Sequence, residues 1–485
     1  MLVTEYVFDY ARRDPDRLCV VDEQGTFTYR RMAALTLRAA DKLRELGIMP
    51  GDRIMVRCMQ DAQFLMTDMA CVLTGAVFVP LEKEAAPARG LSMAEDTEAV
   101  LYIGEEIGEL SCPRISFETL FSGGECPVIP DSLVMPEMSL TAQILYTTGT
   151  TGKSKGIEIT HANNEALAEN VSEGTEMREG NVEFIPLPLS HSHGLRCCYA
   201  NLTRGGTLVL ADGMRNVRAI YEKLQTYHVT AMDLSPTAAS VILRLFKKVL
   251  PQLNEQLDYI QIGTAPLSEQ LKESLKAQFP DVRLYNFYGS TESGRSCVLN
   301  FNSTDDRKFC VGKPTKHARF IITDEQRCPI ESDPVHTGLL ACAGPMNMKG
   351  YFKQPELTAS VMKDGYLFTS DEAWIDEQGF VYVLGRKDDV INYMGIKIAP
   401  EEIEEVAMAS GMIADCACVP APDPSAGQIP KLFYTPKDGD FDRNAFLRFL
   451  EERIDSNKYP KQIQPLESIP RTANGKLQRK KLIGL

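Results

Sequence analysis

Tyr146-Thr-Thr-Gly-Thr-Thr-Gly-Lys-Ser-Lys-Gly156 is the stretch on which the reading of this chain turns. A short apolar strand, Ile144-Leu-Tyr, runs into a run of threonines and glycines and then into two lysines. Glycine lets backbone N–H groups approach an anion closely, threonine hydroxyls add donors, and lysines add charge. The product is a flexible cradle for a triphosphate. It is not a Walker A loop, which needs G-x-x-x-x-G-K-S/T followed directly by a helix; Gly152-Lys153-Ser154 imitates only the end of that pattern. On composition alone, a ligand-free Gly/Thr surface loop is the competing reading.

Outward from the loop, strand and helix signals alternate. Tyr29–Leu46 reads as an amphipathic helix closed by Gly47, and Arg53-Ile-Met-Val-Arg as a strand. A helix ending at Gly75 leads into a buried strand, Val77-Phe-Val-Pro-Leu. Gly206-Thr-Leu-Val-Leu, Tyr259-Ile-Gln-Ile and Val282-Arg-Leu-Tyr are further strands, each near a helical stretch. The pattern predicts an α/β fold of mixed, mostly parallel sheets. After Tyr351 the texture changes to short antiparallel strands, with a hairpin turn at Asp376-Glu-Gln-Gly. A helix follows from Pro400 and Glu401, and another over Phe441–Ile454. The expectation is a large N-terminal domain, 1–387, and a small mobile α+β domain, 388–485.

Composition sets bounds. The 485 residues exceed one ordinary core, and 44% apolar with 24% charged residues is usual for a globular chain. Lys plus Arg minus Asp plus Glu is 52 − 66 = −14, which gives no general attraction to nucleic acid or an anionic membrane. A polyanionic ligand therefore needs a local site. The 13 cysteines form no repeated C-x-x-C framework and read as reduced, buried thiols. Met1-Leu-Val-Thr-Glu-Tyr-Val lacks the apolar core of a signal peptide, and the longest apolar run, near Met69–Leu81, is too short and too broken to span a membrane. A cytoplasmic protein is expected.

The opening loop resembles the signature loop of the superfamily of acyl-CoA synthetases, adenylation domains and luciferases (the ANL superfamily), S/T-S/T-G-S/T-T-G-x-P-K-G, with Ser154 in place of Pro. Further segments resemble that superfamily in the same order, from about Tyr29 to Leu482. Pro186-Leu-Pro-Leu-Ser-His-Ser-His-Gly-Leu195 is similar to P-L-F-H-x-x-G-L, Gly263-Thr-Ala-Pro-Leu267 to G-x-A-P-L, and Asn286-Phe-Tyr-Gly-Ser-Thr-Glu292 to Y-G-x-T-E. Thr369-Ser-Asp371 resembles T-G-D, with Ser370 for Gly, and Gly385-Arg-Lys-Asp-Asp-Val-Ile391 resembles the hinge motif. Asn392-Tyr-Met-Gly-Ile-Lys-Ile-Ala-Pro-Glu-Glu-Ile is similar to the following segment, with Asn392 where many relatives have Lys; Pro470-Arg-Thr-Ala-Asn-Gly-Lys476 resembles the lysine motif.

The resemblance implies roles. ATP is held by Thr147, Thr148, Gly149, Thr150, Thr151 and Lys155, by Gly263, Ala265 and Pro266 against the adenine, and by Asn286, Tyr288, Gly289, Ser290 and Thr291. Tyr288 stacks on the base, Thr291 bonds the α-phosphate, and Glu292 holds Mg²⁺, for which a carboxylate is a fitting hard ligand. Asp371 and Arg386 meet the ribose and phosphate. His191, His193, Gly263 and Phe287 line the acyl pocket. Lys476 is the adenylation lysine, Asp388 the hinge, and Met394 with Gly395 the face past which the pantetheine arm of coenzyme A runs. Catalysis is assigned to Lys476, Thr291, Glu292 and His191.

The activity so implied is an AMP-forming acid–thiol ligase: ATP and a carboxylic acid give an acyl-adenylate and pyrophosphate, and the acyl group then passes to CoA. A separate carrier protein or an amine is the alternative acceptor, and Arg479-Lys-Lys481 reads either as a contact to CoA phosphates or as a basic solvated terminus. A binding relative without activity is the third reading, supported only by Ser154, Leu339 and Ser370. Ser190-His-Ser-His carries no acid for an amino-acid ammonium, and the Phe287 ring shortens the acyl pocket. Small, medium or aromatic acids are therefore expected over long-chain fatty acids.

Overall fold

The structure, a computed structural model, describes residues 1–123, 128–147, 155–303, 307–394, 396–437, 441–456, 458–471 and 477–485. Three sheets organise it. The largest has a parallel centre, Thr207–Leu210, Val182–Ile185, Ala231–Leu234, Tyr259–Ile262 and Arg283–Ser290. Most of these strands are buried along their whole length, as expected where helices cover both faces. From Gly294–Asn300 the same sheet turns antiparallel and continues through Cys310–Pro314, Val381–Arg386, Tyr366–Ile375 and Gly338–Ala343. A second sheet joins the parallel strands Arg53–Arg57, Val77–Leu81 and Leu101–Ile103 to the hairpin Thr141–Thr147 and Lys155–Thr160. Pro80 lies inside it and offers no N–H; the ladder from its strand to Thr141–Thr147 reduces to the pair Phe78–Gln143.

Local chemistry sets the helix ends. Thr28 caps Tyr29–Glu45 by accepting from Arg31 N, and Met32, Ala33, Thr36, Ala39, Ala40 and Leu43 form its buried stripe. Gly75 closes Ala62–Thr74 with φ +73°, a conformation that suits glycine. The helix expected over Phe441–Ile454 is shorter, Arg443–Glu451. Asp442 accepts from the N–H groups of Asn444 and Ala445 and so starts the helix after Phe441.

The strands Tyr366–Ile375 and Val381–Arg386, part of the change of texture seen after Tyr351, complete the large sheet. Only beyond them does a separate sheet form, from Ile391–Tyr393, Ile396–Ile398, Ile413–Asp423, Gly427–Pro436 and Gln462–Pro465. It has its own core, with Ile391, Ile398, Ile403, Phe446 and Leu450 among its members. The chain is thus a mixed α/β protein of one large N-terminal and one smaller C-terminal domain. Among the described residues, Glu269 N donates to Glu405 Oε1 at 2.7 Å, and Lys397 Nζ stands 3.7 Å from Glu372, which ties the two together. No described helix is long and apolar enough to cross a membrane, and the described cysteines are free, ten of them buried.

Candidate active site

The hairpin Arg283–Ser290 and Gly294–Asn300 ends in a turn whose shape is forced. Ser290 N donates to Ser293 Oγ and Ser293 N to Ser290 Oγ, both at 3.1 Å. A Cβ on Gly289 would lie 1.7 Å from Gly294 O, so no side chain fits there. This turn projects Thr291 and Glu292 from the end of the sheet, where α/β folds collect ligands. Met348 N donates to Glu292 O at 2.7 Å and fixes its backbone.

Two clusters form around the turn. In the first, the Tyr288 hydroxyl donates to Asp371, and Arg386 Nε reaches Asp371 Oδ1 at 3.0 Å. Asp371 and Arg386 face each other across one ladder, so sheet register brings them together. Burial, and then the Asp371 carboxylate, push the Tyr288 phenol well above its ordinary value, so it stays protonated as a donor. In the second cluster, Tyr351 donates to Glu292 Oε1 at 3.1 Å and the Lys155 ammonium lies 5.3 Å from the Tyr351 ring centroid. Lys155 pairs with Thr147 at the mouth of its hairpin. Gly156 is hemmed in, since a Cβ would stand 2.9 Å from Ile144 Cγ2 and 3.2 Å from Phe352 Cβ.

The expected acyl residues also converge. Gly263 faces His193, whose Cε1 would be 2.4 Å from a Cβ at that position. His193 Nε2 bonds Asp233 Oδ1 at 2.8 Å, and Arg295 approaches Asp233 at 3.4 Å while its guanidinium lies 5.0 Å from the Phe287 ring centroid. Burial, then Arg295, lower the His193 pKa, so the imidazole is neutral near pH 7. Phe287 itself packs among Val171, Met177, Tyr259 and Tyr285. His191 precedes the helix Ser192–Thr203, and burial lowers its pKa, with Glu82 and Arg89 nearby. Asn286 is buried on its strand, whereas Ala265 and Pro266 are exposed in the turn after Tyr259–Ile262. Ser370 lies in an extended strand and needs no glycine geometry.

Thr148, Gly149, Thr150, Thr151, Gly395 and Lys476 lie outside the described residues. Asp388 is exposed just past Val381–Arg386, 3.9 Å from Lys480, and Met394 is exposed with φ +51° at the hairpin tip. Arg479 is neither a solvated end nor open to an external phosphate. It is buried, and bonds Glu401 at 2.5 Å and Glu404 at 2.9 Å.

Sequence reasoning missed Tyr351, Arg196, Asp233 and Arg295. A readable signal existed for part of this set. Val-Glu183-Phe-Ile, Ala-Met-Asp233-Leu and Tyr-Ile-Gln261-Ile each place a polar residue inside an otherwise apolar strand. Among the described residues no three His, Cys, Asp or Glu side chains gather as a metal cage. A lone carboxylate at Glu292, beside the expected triphosphate loop, fits Mg²⁺, which is usually held by one or two protein carboxylates together with substrate phosphates.

The profile of the AMP-binding enzyme family matches residues 7–352, and that of the AMP-binding enzyme C-terminal domain matches 402–476. The chain belongs to the AMP-binding enzyme family. Within it, a 2-succinylbenzoate–CoA ligase of Bacillus cereus is 28% identical over 478 residues, covering 96% of this chain and 95% of that one. ATP-bound MatB from Rhodopseudomonas palustris shares the fold with a TM-score of 0.86 at 23% identity, covering 99% of this chain and 98% of that one. The o-succinylbenzoate CoA synthetase of Bacillus subtilis, in complex with its acyl-adenylate intermediate, does so with 0.85 at 24%, covering 98% and 97%.

Proposed function

We propose that this AMP-binding enzyme activates a carboxylic acid as its acyl-adenylate and then forms the thioester with coenzyme A. The observation that carries the reading is the pair of clusters, Tyr288–Asp371–Arg386 and Lys155–Tyr351–Glu292, on either side of one constrained turn. The relatives named as CoA ligases support it.

The acid's carboxylate attacks the α-phosphorus of ATP in line, and pyrophosphate leaves. Such a reaction asks the protein for positioning and for charge neutralisation. Tyr288 offers a flat ring to the adenine, Asp371 accepts from ribose hydroxyls, and Arg386 donates to ribose or phosphate. Thr291 donates to an α-phosphate oxygen, while Thr147, the threonines of the loop and Lys155 hold the remaining phosphates. Mg²⁺ held by Glu292, when bound, supplies charge neutralisation across the phosphate oxygens. Lys476 meets the carboxylate and α-phosphate oxygens where negative charge develops. The C-terminal domain then turns about Asp388, withdraws Lys476 and presents the Met394–Gly395 tip to the CoA arm.

Small, medium or aromatic acids are favoured over long-chain fatty acids, a reading supported by the buried Phe287 ring and by the His193–Asp233–Arg295 group beside it, which leave little apolar room next to Gly263 for a long chain. Free, buried thiols are consistent with work in the reducing cytoplasm. The test is ATP–pyrophosphate exchange and AMP release over a panel of carboxylic acids, with and without CoA. Acid-dependent exchange that falls by about 100-fold or more in Lys476→Ala supports adenylation. AMP with acyl-CoA formed only when CoA is present identifies the acceptor, whereas exchange without any CoA product assigns transfer to a separate carrier protein or an amine.

A further inference from the structure

Arg196, on the helix Ser192–Thr203, is 2% exposed, yet its one hydrogen bond among the described residues runs from Nη2 to Thr291 O at a long 3.4 Å. Its Nε has no partner, and no carboxylate among the described residues pairs with it. A second guanidinium is near. Arg295 is 4% exposed, bonds Gln261 and, at 3.2 Å, His193 O, and likewise has an unpartnered, buried Nε. Burial, helped by the Arg295 charge, lowers the Arg196 pKa to about 10 against the opposing pull of Tyr199 and Glu292.

The acids nearby are already committed. Asp233 is shared between His193 and Arg295. Glu183 accepts from Asn201 and Gln261 at 2.6 Å, Tyr259 at 2.8 Å and Asn181 at 3.4 Å. Glu292 is the expected metal ligand. A buried guanidinium left without its anion is costly, and a site that keeps Arg196 so, beside an Arg295 that holds only a shared carboxylate, with open Nε donors on both, is built for a negative group that arrives from outside. Arg196 lies under Thr291, the residue expected to meet the α-phosphate, and Arg295 lies beside His193, Gly263 and Phe287. The two therefore bracket the expected acyl pocket from its reacting end to its floor.

We propose that the acid activated here carries a second anionic group, a compact dicarboxylate in its simplest form, and that Arg196 and Arg295 receive that second charge. This rests on the adenylation reading above and narrows its substrate class. Forked donors suit a planar carboxylate, and burial strengthens the pairing by excluding water, whereas a methyl-ended acid would leave Arg196 without an anion and Arg295 with only its share of Asp233.

The test is pyrophosphate exchange by the full-length enzyme with C3 to C6 dicarboxylates and aromatic dicarboxylates, each beside the monocarboxylate of matched length. The expected result is a kcat/KM for at least one diacid about 100-fold or more above that of its matched monoacid. That ratio collapses toward one in Arg196→Met and in Arg295→Met and is partly kept in Arg196→Lys. The wild-type ratio alone decides the matter if a variant does not fold. Monoacids used as well as or better than matched diacids, or a ratio unmoved by both Met variants, overturns the proposal and leaves adenylation standing. No exchange with any acid of either class overturns both.

Discussion

Tyr288, Asp371 and Arg386 satisfy one another before any nucleotide arrives. In the proposed reading an incoming ribose exchanges bonds with Asp371 and does not simply add them, and the carboxylate's charge is what makes that exchange favourable. Asp371→Asn keeps the shape and removes the charge; the KM for ATP in pyrophosphate exchange is expected to rise about 10-fold or more. A different residue governs pH behaviour. Burial raises Asp68 to about 6, with Tyr199 and Gln143 donating to it. From its ordinary carboxyl value up to about 6, the folded state keeps a proton that the unfolded chain has released. Stability from this group is therefore fully present below that window and is lost as pH rises through it. Asp68→Asn has no such step. Across that window, wild-type stability should fall relative to the variant by on the order of 3 kcal/mol, read from thermal or denaturant unfolding at pH 4 to 8.

The element that matters most is the Arg283–Ser290 hairpin, because one glycine decides whether its turn can close. Gly289→Ala drives a Cβ into the Gly294 carbonyl. The expected cost is about 3 kcal/mol or more in unfolding free energy, with exchange activity lost beyond the loss of folded protein, since Thr291 and Glu292 move with the turn. This element also shows what was legible in the sequence. Tyr-Gly-Ser-Thr-Glu and the Gly/Thr loop could be read because a local backbone constraint leaves a local signature. Tyr351 could not, since its approach to Glu292 is made by pairing Gly350–Tyr351 with Glu158 and Ile157 across the chain. Arg479 misled for a similar reason. Three basic residues at a chain end look solvated until Glu401 and Glu404, some 75 residues earlier, are seen to bury the first of them. The change of strand texture after Tyr351 falls inside the large sheet, because texture reports strand type and not which sheet receives the strand.

At the scale of the whole molecule, two domains meet through few bonds among the described residues. Glu405 on Glu269 N and Lys397 near Glu372 are long-range contacts that a turning domain would break. Asp388→Pro fixes φ at the expected pivot. The two half-reactions should then change unequally: pyrophosphate exchange and acyl transfer from preformed adenylate, each measured by itself, should differ in their response by about 10-fold or more. Equal losses in both would count against a pivot at this residue.

The pairing of Asp371 with Arg386 has one more consequence, for how such a chain tolerates insertions and deletions. The two residues sit at the far end of a hairpin whose turn, Asp376–Gly379, lies several pairs away. Extra residues placed between Glu377 and Gln378 lengthen only the tip, so a peptide tag can be spliced there while Asp371 and Arg386 keep their facing positions. One residue removed from Tyr366–Ile375 between Asp371 and the turn slips the ladder instead, and turns Asp371 to the opposite face of the sheet.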